Sequence, residues 1–159
     1  MCPQRPFLRL LLLLCIAFCV QGCGKTHIDS GGPARYGKAS GAAVVKTLRT
    51  QIGAPYKYGG ASPKTGFDCS GLLVWGYQQH GVSVPRRAVE QSKYGRVVKK
   101  SALRSGDIVV FRVSGAWHTG LYTGAGKFIH SPSAGKKVRE DSINADYWKR
   151  RYYSARRIL

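Results

Sequence analysis

The residues most able to do chemistry in this chain are one cysteine and two histidines. Cys69 is the single cysteine after position 23, and it lies in the string Gly66-Phe67-Asp68-Cys69-Ser70-Gly71. Exported proteins generally pair their thiols or lack them, because a lone thiol in an oxidising compartment becomes oxidised. A thiol kept at the start of a predicted helix, with His118 and His130 downstream, indicates a cysteine nucleophile.

Two features of the predicted site favour the reactive thiolate form of Cys69. Unpaired backbone N–H groups at a helix N-terminus stabilise an anion, and a histidine can hold the proton. His118 opens a predicted strand and is the expected base. A base also needs a third polar group on its other ring nitrogen, and His130, at the end of the next predicted strand, is the expected orienting residue.

Each of these residues also has a plainer interpretation. Cys69 can be an inert buried thiol, and the two histidines can be ordinary half-buried strand residues. His27 and His80 lack a comparable placement. One cysteine and two histidines without a close ligand pair make a poor zinc pattern, so neither a metal nor a cofactor is expected.

The first 22 residues are typical of an export signal. Arg5 and Arg9 precede an apolar run, Leu10 to Val20, that is too short to cross a bilayer. Cys23 follows Gly22 as in a lipoprotein box, although Gln21 fits that motif imperfectly, and Gly24 favours the outer membrane over retention at the inner one. The prediction is a lipid anchor on Cys23; a plain secretory signal is the alternative.

The remaining chain divides into a tether and one domain. Residues 23–38 are rich in Gly, Ser, Pro and Lys and are predicted to be flexible, and 39–159 form the predicted catalytic domain. Loss of Arg5 and Arg9 takes the net charge of +19 to about +17. For an exported chain this charge favours an anionic wall polymer or lipid headgroups over nucleic acid. It is concentrated far from the three reactive residues in sequence, in the stretches 96–104, 136–139 and 149–157.

The hydrophobic pattern predicts an α+β domain, with helices first and antiparallel strands after them. Ser40 and Asp68 are the expected N-caps of the first two helices. The predicted helices cover about 41–52, 69–80 and 88–94, with a helical turn at 148–152, and the predicted strands cover 107–113, 118–123, 127–130 and 154–159.

At this point the chain, over about 42–159, resembles the NlpC-type cell-wall cysteine endopeptidases, and its C-terminal strings resemble their small outer-membrane lipoprotein members. The resemblance implies a papain-like core, with helices packed on an antiparallel sheet and the catalytic cysteine at a helix N-terminus. The matching strings are Pro55-Tyr56-Lys57-Tyr58-Gly59-Gly60, Phe67-Asp68-Cys69-Ser70-Gly71, Val84-Pro85-Arg86 with Gln91, Leu103 to Phe111, His118-Thr119-Gly120-Leu121-Tyr122, Phe128-Ile129-His130-Ser131, Tyr147 to Tyr152 and Ala155-Arg156-Arg157.

The resemblance also implies roles for individual residues. It gives Cys69 as nucleophile, His118 as base and His130 as orienting residue. Tyr58 is expected beside the oxyanion, although from the residues alone it can equally be a packing tyrosine. Two positions depart from the family pattern: Arg87 replaces a small hydroxyl residue, and Thr119 replaces a more usual valine. The residues expected to line the substrate site are Asp68, Ser70 and Arg86.

The expected function is therefore hydrolysis of peptidoglycan at the cell envelope. Two bonds compete: the γ-D-glutamyl bond to the diamino acid within a stem, and the cross-link between D-alanine and the diamino acid. Two alternatives stay open, a non-catalytic wall-binding lipoprotein and a thiol acyltransferase on the same fold.

Overall fold

The computed structural model describes residues 39–159. The predicted signal segment (1–22), the lipidation site Cys23 and the tether (23–38) lie outside the described residues. Within 39–159, no helix combines the length and the apolar character needed to cross a membrane.

The first helix, α1, covers Gly41–Arg49 and begins where the sequence predicted. The Ser40 hydroxyl accepts a hydrogen bond from the Ala43 N–H at 3.2 Å, which satisfies one free donor of the first turn. Its apolar stripe of Val44, Val45 and Leu48 is buried. The helix ends three residues before the predicted limit, because residues 50–53 fold into turns.

The second helix, α2, covers Cys69–Gln78 and ends two residues before the predicted limit. Its N-cap is Asp68, as expected, whose carboxylate accepts the Gly71 N–H at 2.6 Å. Leu72, Leu73 and Tyr77 are fully buried, and the Tyr77 hydroxyl donates to the Gly106 carbonyl at 2.6 Å.

Two short α-helices and one 3₁₀ turn connect the remaining elements. The α3 helix, Ala88–Gln91, is shorter than predicted, and α4, Asp146–Lys149, begins two residues before the predicted turn. The 3₁₀ turn covers Lys100–Ala102.

The described residues, 39–159, contain eight strands: β1 Ala61–Ser62, β2 Gly66–Phe67, β3 Arg96–Val98, β4 Ile108–Val113, β5 Ala116–Gly124, β6 Lys127–His130, β7 Arg139–Ser142 and β8 Tyr152–Arg157. Six of them form the main antiparallel sheet, in the order β3-β8-β4-β5-β6-β7. The other two, β1 and β2, form a separate ribbon that precedes α2. The sequence predicted four of the strands and missed β1, β2, β3 and β7.

The core forms two clusters of buried apolar side chains, built by alternate residues of the strands. One cluster joins α1 and α2 to strand residues such as Val110 and Leu121. The other contains Phe111, Phe128 and Trp148. Helices packed on an antiparallel sheet confirm the predicted α+β class.

Candidate active site

Cys69 is the first residue of α2 and the one free cysteine among residues 39–159. It is half-buried. The start of α2 lies against the loop that ends at Gly60, and a Cβ atom on Gly71 would collide with the Gly60 carbonyl oxygen. The Asp-Cys-Ser-Gly string therefore needs glycine at its end so that the helix start can approach this loop.

The environment of Cys69 differs from the sequence prediction. Burial raises the pKa of the Cys69 thiol, and the negative charge of Asp68 adds to this. The backbone N–H groups of Thr119 and Ser70 lie close enough to oppose this rise in pKa. The expectation of a lowered thiol pKa was wrong for this state, because desolvation outweighs those donors.

His118 on β5 and His130 at the end of β6 are joined directly. The two antiparallel strands bring His118 Nε2 to 2.8 Å from His130 Nδ1. Both rings are buried, and the indole of Trp148 stacks on His118 with centroids 5.4 Å apart. Burial, together with the nearby His130, lowers the pKa of His118 to about 3.

Asp141 on β7 continues this arrangement and was missed in the sequence. Its Oδ2 lies 3.1 Å from His130 Nε2 and also accepts the Trp148 indole N–H at 3.0 Å. The Arg139 guanidinium contacts the same oxygen. These bonds, that of His130 foremost, hold the pKa of Asp141 well below its usual range. We call His118, His130 and Asp141 the histidine chain.

The donors and acceptors of the histidine chain determine its proton positions. An ionised Asp141 only accepts, so His130 Nε2 carries a hydrogen and His130 Nδ1 accepts from His118 Nε2–H. The remaining nitrogen of a neutral His118, Nδ1, then has a free lone pair. His118 precedes Thr119, which lies beside the Cys69 sulfur.

Asp68, Ser70 and Arg86, the predicted substrate-site residues, lie together. Arg86 binds the Asp68 carboxylate at 2.7 and 2.9 Å and the Ser70 hydroxyl at 3.0 Å. Burial alone would raise the pKa of Asp68, but hydrogen bonds from Arg86 and the Gly71 N–H hold it below its usual value. The cluster is a polar surface next to Cys69 with an ionised carboxylate.

Two tyrosines of the Pro55–Gly60 loop differ in how far they are buried, and Tyr58 was the one expected beside the oxyanion. Tyr58 is 87% exposed, and its hydroxyl makes none of the hydrogen bonds found in the described part of the chain. Tyr56 is half-buried, and burial and the charges of Cys69 and Asp68 raise its pKa. Tyr56 is therefore better placed than Tyr58 to meet a group bound at Cys69.

Arg87 and Thr119, the two positions that depart from the family pattern, bind different side chains. Arg87 pairs with Glu90 at 2.6 Å on the exposed side of α3, so its charge is matched locally. The Thr119 hydroxyl donates to buried Gln91 at 2.9 Å. The Gln91 amide donates to the carbonyls of Ser70 and Pro85, and it thereby ties β5 to the start of α2.

A cavity of about 400 Å³ opens beside His118, and we call it the His118 cavity. Lys136 and Arg139 line it, so this basic stretch lies at the site although it is distant from Cys69 in sequence. Separation from Cys69 along the sequence therefore does not keep the stretch 136–139 away from the site in space. The other polar and aromatic lining residues include Ser133, Asp141, Ser142, Tyr147 and Trp148.

Comparison with known proteins places the chain among related sequences. The family model described as NlpC/P60 family matches residues 53–157. Over 132 residues the chain is 42% identical to murein DD-endopeptidase MepH of Escherichia coli (strain K12), covering 79% of this chain and 48% of that protein. It is 40% identical over 119 residues to a gamma-DL-glutamyl hydrolase of Bacillus subtilis (strain 168), covering 72% of this chain and 29% of that protein. The chain thus spans less than half the length of these two relatives.

Solved structures share the fold. An NlpC/P60 family protein from Bacillus cereus superposes with a TM-score of 0.71 at 34% identity, covering 76% of this chain and 41% of that one. The NlpC/p60 domain of peptidoglycan hydrolase SagA superposes with a TM-score of 0.66 at 30% identity, covering 76% of this chain and all of that domain. The match extends over the papain-like α+β core that carries Cys69, His118 and His130, and the chain belongs to the NlpC/P60 family.

Proposed function

We propose that this protein is a cysteine endopeptidase that cleaves stem or cross-link peptides of peptidoglycan. The observation that carries the proposal is the placement of Cys69 at the start of α2, against the strand whose His118 is bonded to His130 and then Asp141. The names of the two relatives, a murein DD-endopeptidase and a gamma-DL-glutamyl hydrolase, support this substrate class.

The reaction begins with Cys69 and His118 both neutral, a state that burial of the two side chains favours by raising the pKa of the thiol and lowering that of the imidazole. As the sulfur attacks the scissile carbonyl carbon, the thiol proton passes to His118 Nδ1 and an S–C bond forms. His130, held by Asp141, orients the ring and stabilises the imidazolium that results. The proton is therefore transferred during the attack rather than before it.

The negative oxygen of the intermediate needs donors fixed in advance. The Cys69 backbone N–H is in the first helical turn, where donors have no helical partner. A tyrosine hydroxyl of the Pro55–Gly60 loop is the second donor: the sequence favours Tyr58, and the placement of the two rings favours Tyr56.

The intermediate then collapses to a thioester. The C–N bond breaks, and His118 gives its proton to the leaving amine. Water attacks the thioester carbon while His118 takes a proton from it, and the released thiolate recovers that proton. The acyl half meets Asp68, Ser70 and Arg86 during both steps.

The location follows from the proposed substrate and the N-terminal sequence. We propose a lipid anchor on Cys23 that holds the domain at the outer membrane, facing the periplasm, with residues 23–38 as the tether. The partners are peptidoglycan and, through the anchor, a membrane; nucleic acid is not a proposed partner.

Replacement of Cys69 by Ala or Ser tests the proposal directly. We expect no release of muropeptides from purified sacculi, measured by mass spectrometry, with an unchanged thermal unfolding midpoint. Cys69 is the one cysteine after position 23, so no other thiol of the domain can replace it. Undiminished release by a folded Cys69→Ala protein would end the cysteine-hydrolase interpretation, and the fragment masses from the wild type identify the bond.

A further inference from the structure

The His118 cavity is separate from the Asp68, Ser70 and Arg86 cluster. None of those three residues is among the described residues that line the cavity. The cavity is instead bounded by His118, the loop at Lys136, the edge strand β7 and α4. Cys69 is likewise absent from that lining, so His118 is the residue that connects the cavity to the surface around Cys69. Each of the two surfaces can hold one half of a cleaved peptide.

The proposed mechanism decides which half enters the cavity. His118 protonates the leaving amine, so that nitrogen must lie within hydrogen-bond distance of the imidazole. The groups attached to the leaving amine then extend into the space that His118 lines. The cavity volume of about 400 Å³ is of the order needed for a small ligand group.

The charges in the cavity do not cancel. Arg139 binds the Asp141 carboxylate through Nε at 3.2 Å and Nη2 at 2.9 Å, so these two charges are paired. Lys136 makes none of the salt bridges found within residues 39–159. Its charge is close enough to contribute to the lowered pKa of His130, behind the larger effect of burial. One unmatched ammonium group therefore faces the space next to the base.

We propose that Lys136 binds a carboxylate on the carbon that bears the leaving amine, and that the His118 cavity thereby selects the cross-link bond. This proposal rests on the proposed function. In a cross-link between D-alanine and a diaminopimelate residue, the carbon next to the scissile nitrogen carries a free carboxylate. A cross-link to a lysine side chain has no such group, and within a stem the corresponding carboxyl is engaged in the next peptide bond.

Lys136 can be replaced without disturbing the backbone around it. Its carbonyl accepts the Tyr56 N–H at 2.9 Å, and this bond does not involve the side chain. Lys137 is the matched control, since it is also exposed but is not among the cavity-lining residues. Any effect of Lys136 on His130 acts on all substrates alike, so it cancels in a ratio of two substrates.

The test compares two synthetic cross-linked peptides, one with a D-alanyl-meso-diaminopimelate carboxylate beside the scissile amine and one with the carboxamide. A charge-assisted hydrogen bond at a half-open site predicts about a tenfold higher kcat/KM for the carboxylate with the wild type. Lys136→Met should bring the ratio close to one, and Lys136→Glu should bring it below one. Lys137→Met should keep the wild-type ratio.

The wild-type ratio should also shrink as salt is raised, which tests the charge without a variant. Turnover of both peptides at equal rates by the wild type, or an unchanged ratio in Lys136→Met, would overturn the subsite while the proposed endopeptidase stands. If the wild type releases muropeptides from sacculi and cleaves neither peptide, the selection of the cross-link is wrong. If it cleaves neither peptide nor sacculi, the proposed function fails as well.

Discussion

Asp141 decides which nitrogen of His118 is available to Cys69. Because the carboxylate accepts from His130 Nε2, each histidine donates toward Asp141 and leaves its other nitrogen as an acceptor. Trp148 and Arg139 hold the Asp141 carboxylate in place, because each donates a hydrogen bond to it while the histidines are neutral. A carboxylate that takes no part in the proposed bond-breaking steps thus sets the tautomer of the proposed base.

Replacement of a member of the histidine chain should lower the cleavage rate most at His118, less at His130 and least at Asp141. Loss of a general base typically lowers the rate by about 10²–10⁴, so His118→Ala should be the most damaging change. His130→Ala should cost less, and Asp141→Asn least, because an amide oxygen can still accept from His130. Single-turnover cleavage of muropeptides measures the series, with Asp141→Glu as the conservative control. A larger loss for His130→Ala than for His118→Ala would reverse the two roles.

Residue type and spacing were enough to predict part of this site. A lone cysteine after an N-cap aspartate, followed by two histidines on adjacent strands, is a combination that indicates a nucleophile and its base in an exported chain. Asp141 could not be found this way, because it lies on a short charged strand without apolar alternation. One signal was present: His130 needs an acceptor on its second nitrogen, and the chain has only seven acidic residues.

The turns on either side of β5 fix the register that brings the histidines together. Ser114 and Gly115 connect β4 to β5 with φ values of 47° and 79°, and Ala125 and Gly126 connect β5 to β6 with 48° and 72°. Two consecutive positive φ angles are typical of the tight turns that match strand twist. Alanine is strained in this region, since its Cβ approaches the backbone.

Ala125→Asn should stabilise the protein by about 0.5–1 kcal/mol, because Asn-Gly is the favoured pair in such a turn and asparagine tolerates positive φ. Urea unfolding followed by tryptophan fluorescence measures the change. The control is Ala42→Asn on the exposed face of α1, where helix propensity predicts a loss of about 0.5 kcal/mol. A lower free energy of unfolding in both variants would show that the β5–β6 turn is not strained.

Most of the long elements that the sequence predicted are strongly apolar; β8, which ends in two arginines, was also predicted, but with bounds shifted by two residues. The helices α1 and α2 and the strands β4, β5 and β6 have a buried side that repeats along the chain. The edge strand β3 has two apolar residues between charges and the edge strand β7 has none. They pair because a neighbouring strand offers free backbone groups. Their positions depend on the assembled sheet rather than on local preference.

The stability of the whole domain should fall on mild acidification. Burial lowers the pKa of both histidines, that of His118 to about 3 against an ordinary value of 6.5. Between these pH values the unfolded chain binds more protons than the folded one, so stability rises with pH. Each such histidine adds at most about 1.4 kcal/mol per pH unit to the slope of the free energy of unfolding against pH.

Urea unfolding at pH 7, 5.5 and 4.5 checks this dependence. His118→Asn should show a shallower loss than the wild type, because it removes one proton site that is disfavoured in the folded state. Cys69→Ala keeps both histidines and should retain the wild-type slope. Equal slopes in all three proteins would mean that His118 accepts a proton in the folded domain at ordinary pH.

The net charge of the molecule should act mainly on adsorption to the wall. Raising ionic strength from about 50 to 500 mM shortens the screening length from roughly 14 to 4 Å, which should release the protein from intact sacculi. Turnover of a small soluble muropeptide with a carboxamide beside the leaving amine should change much less. Equal salt sensitivity of adsorption and of that turnover would place the basic surface groups in the catalytic step, with Arg86 and Arg87 the first to replace.

The position of β8 has a consequence for how the chain is made. It follows every other described strand in sequence, yet it lies between β3 and β4 in the sheet. The sheet therefore cannot close while a ribosome is still adding residues 152–157, and pairing between distant segments slows folding further. For the proposed export of this chain through a translocation channel, which requires an unfolded chain, this order delays closure of the sheet until β8 has been made.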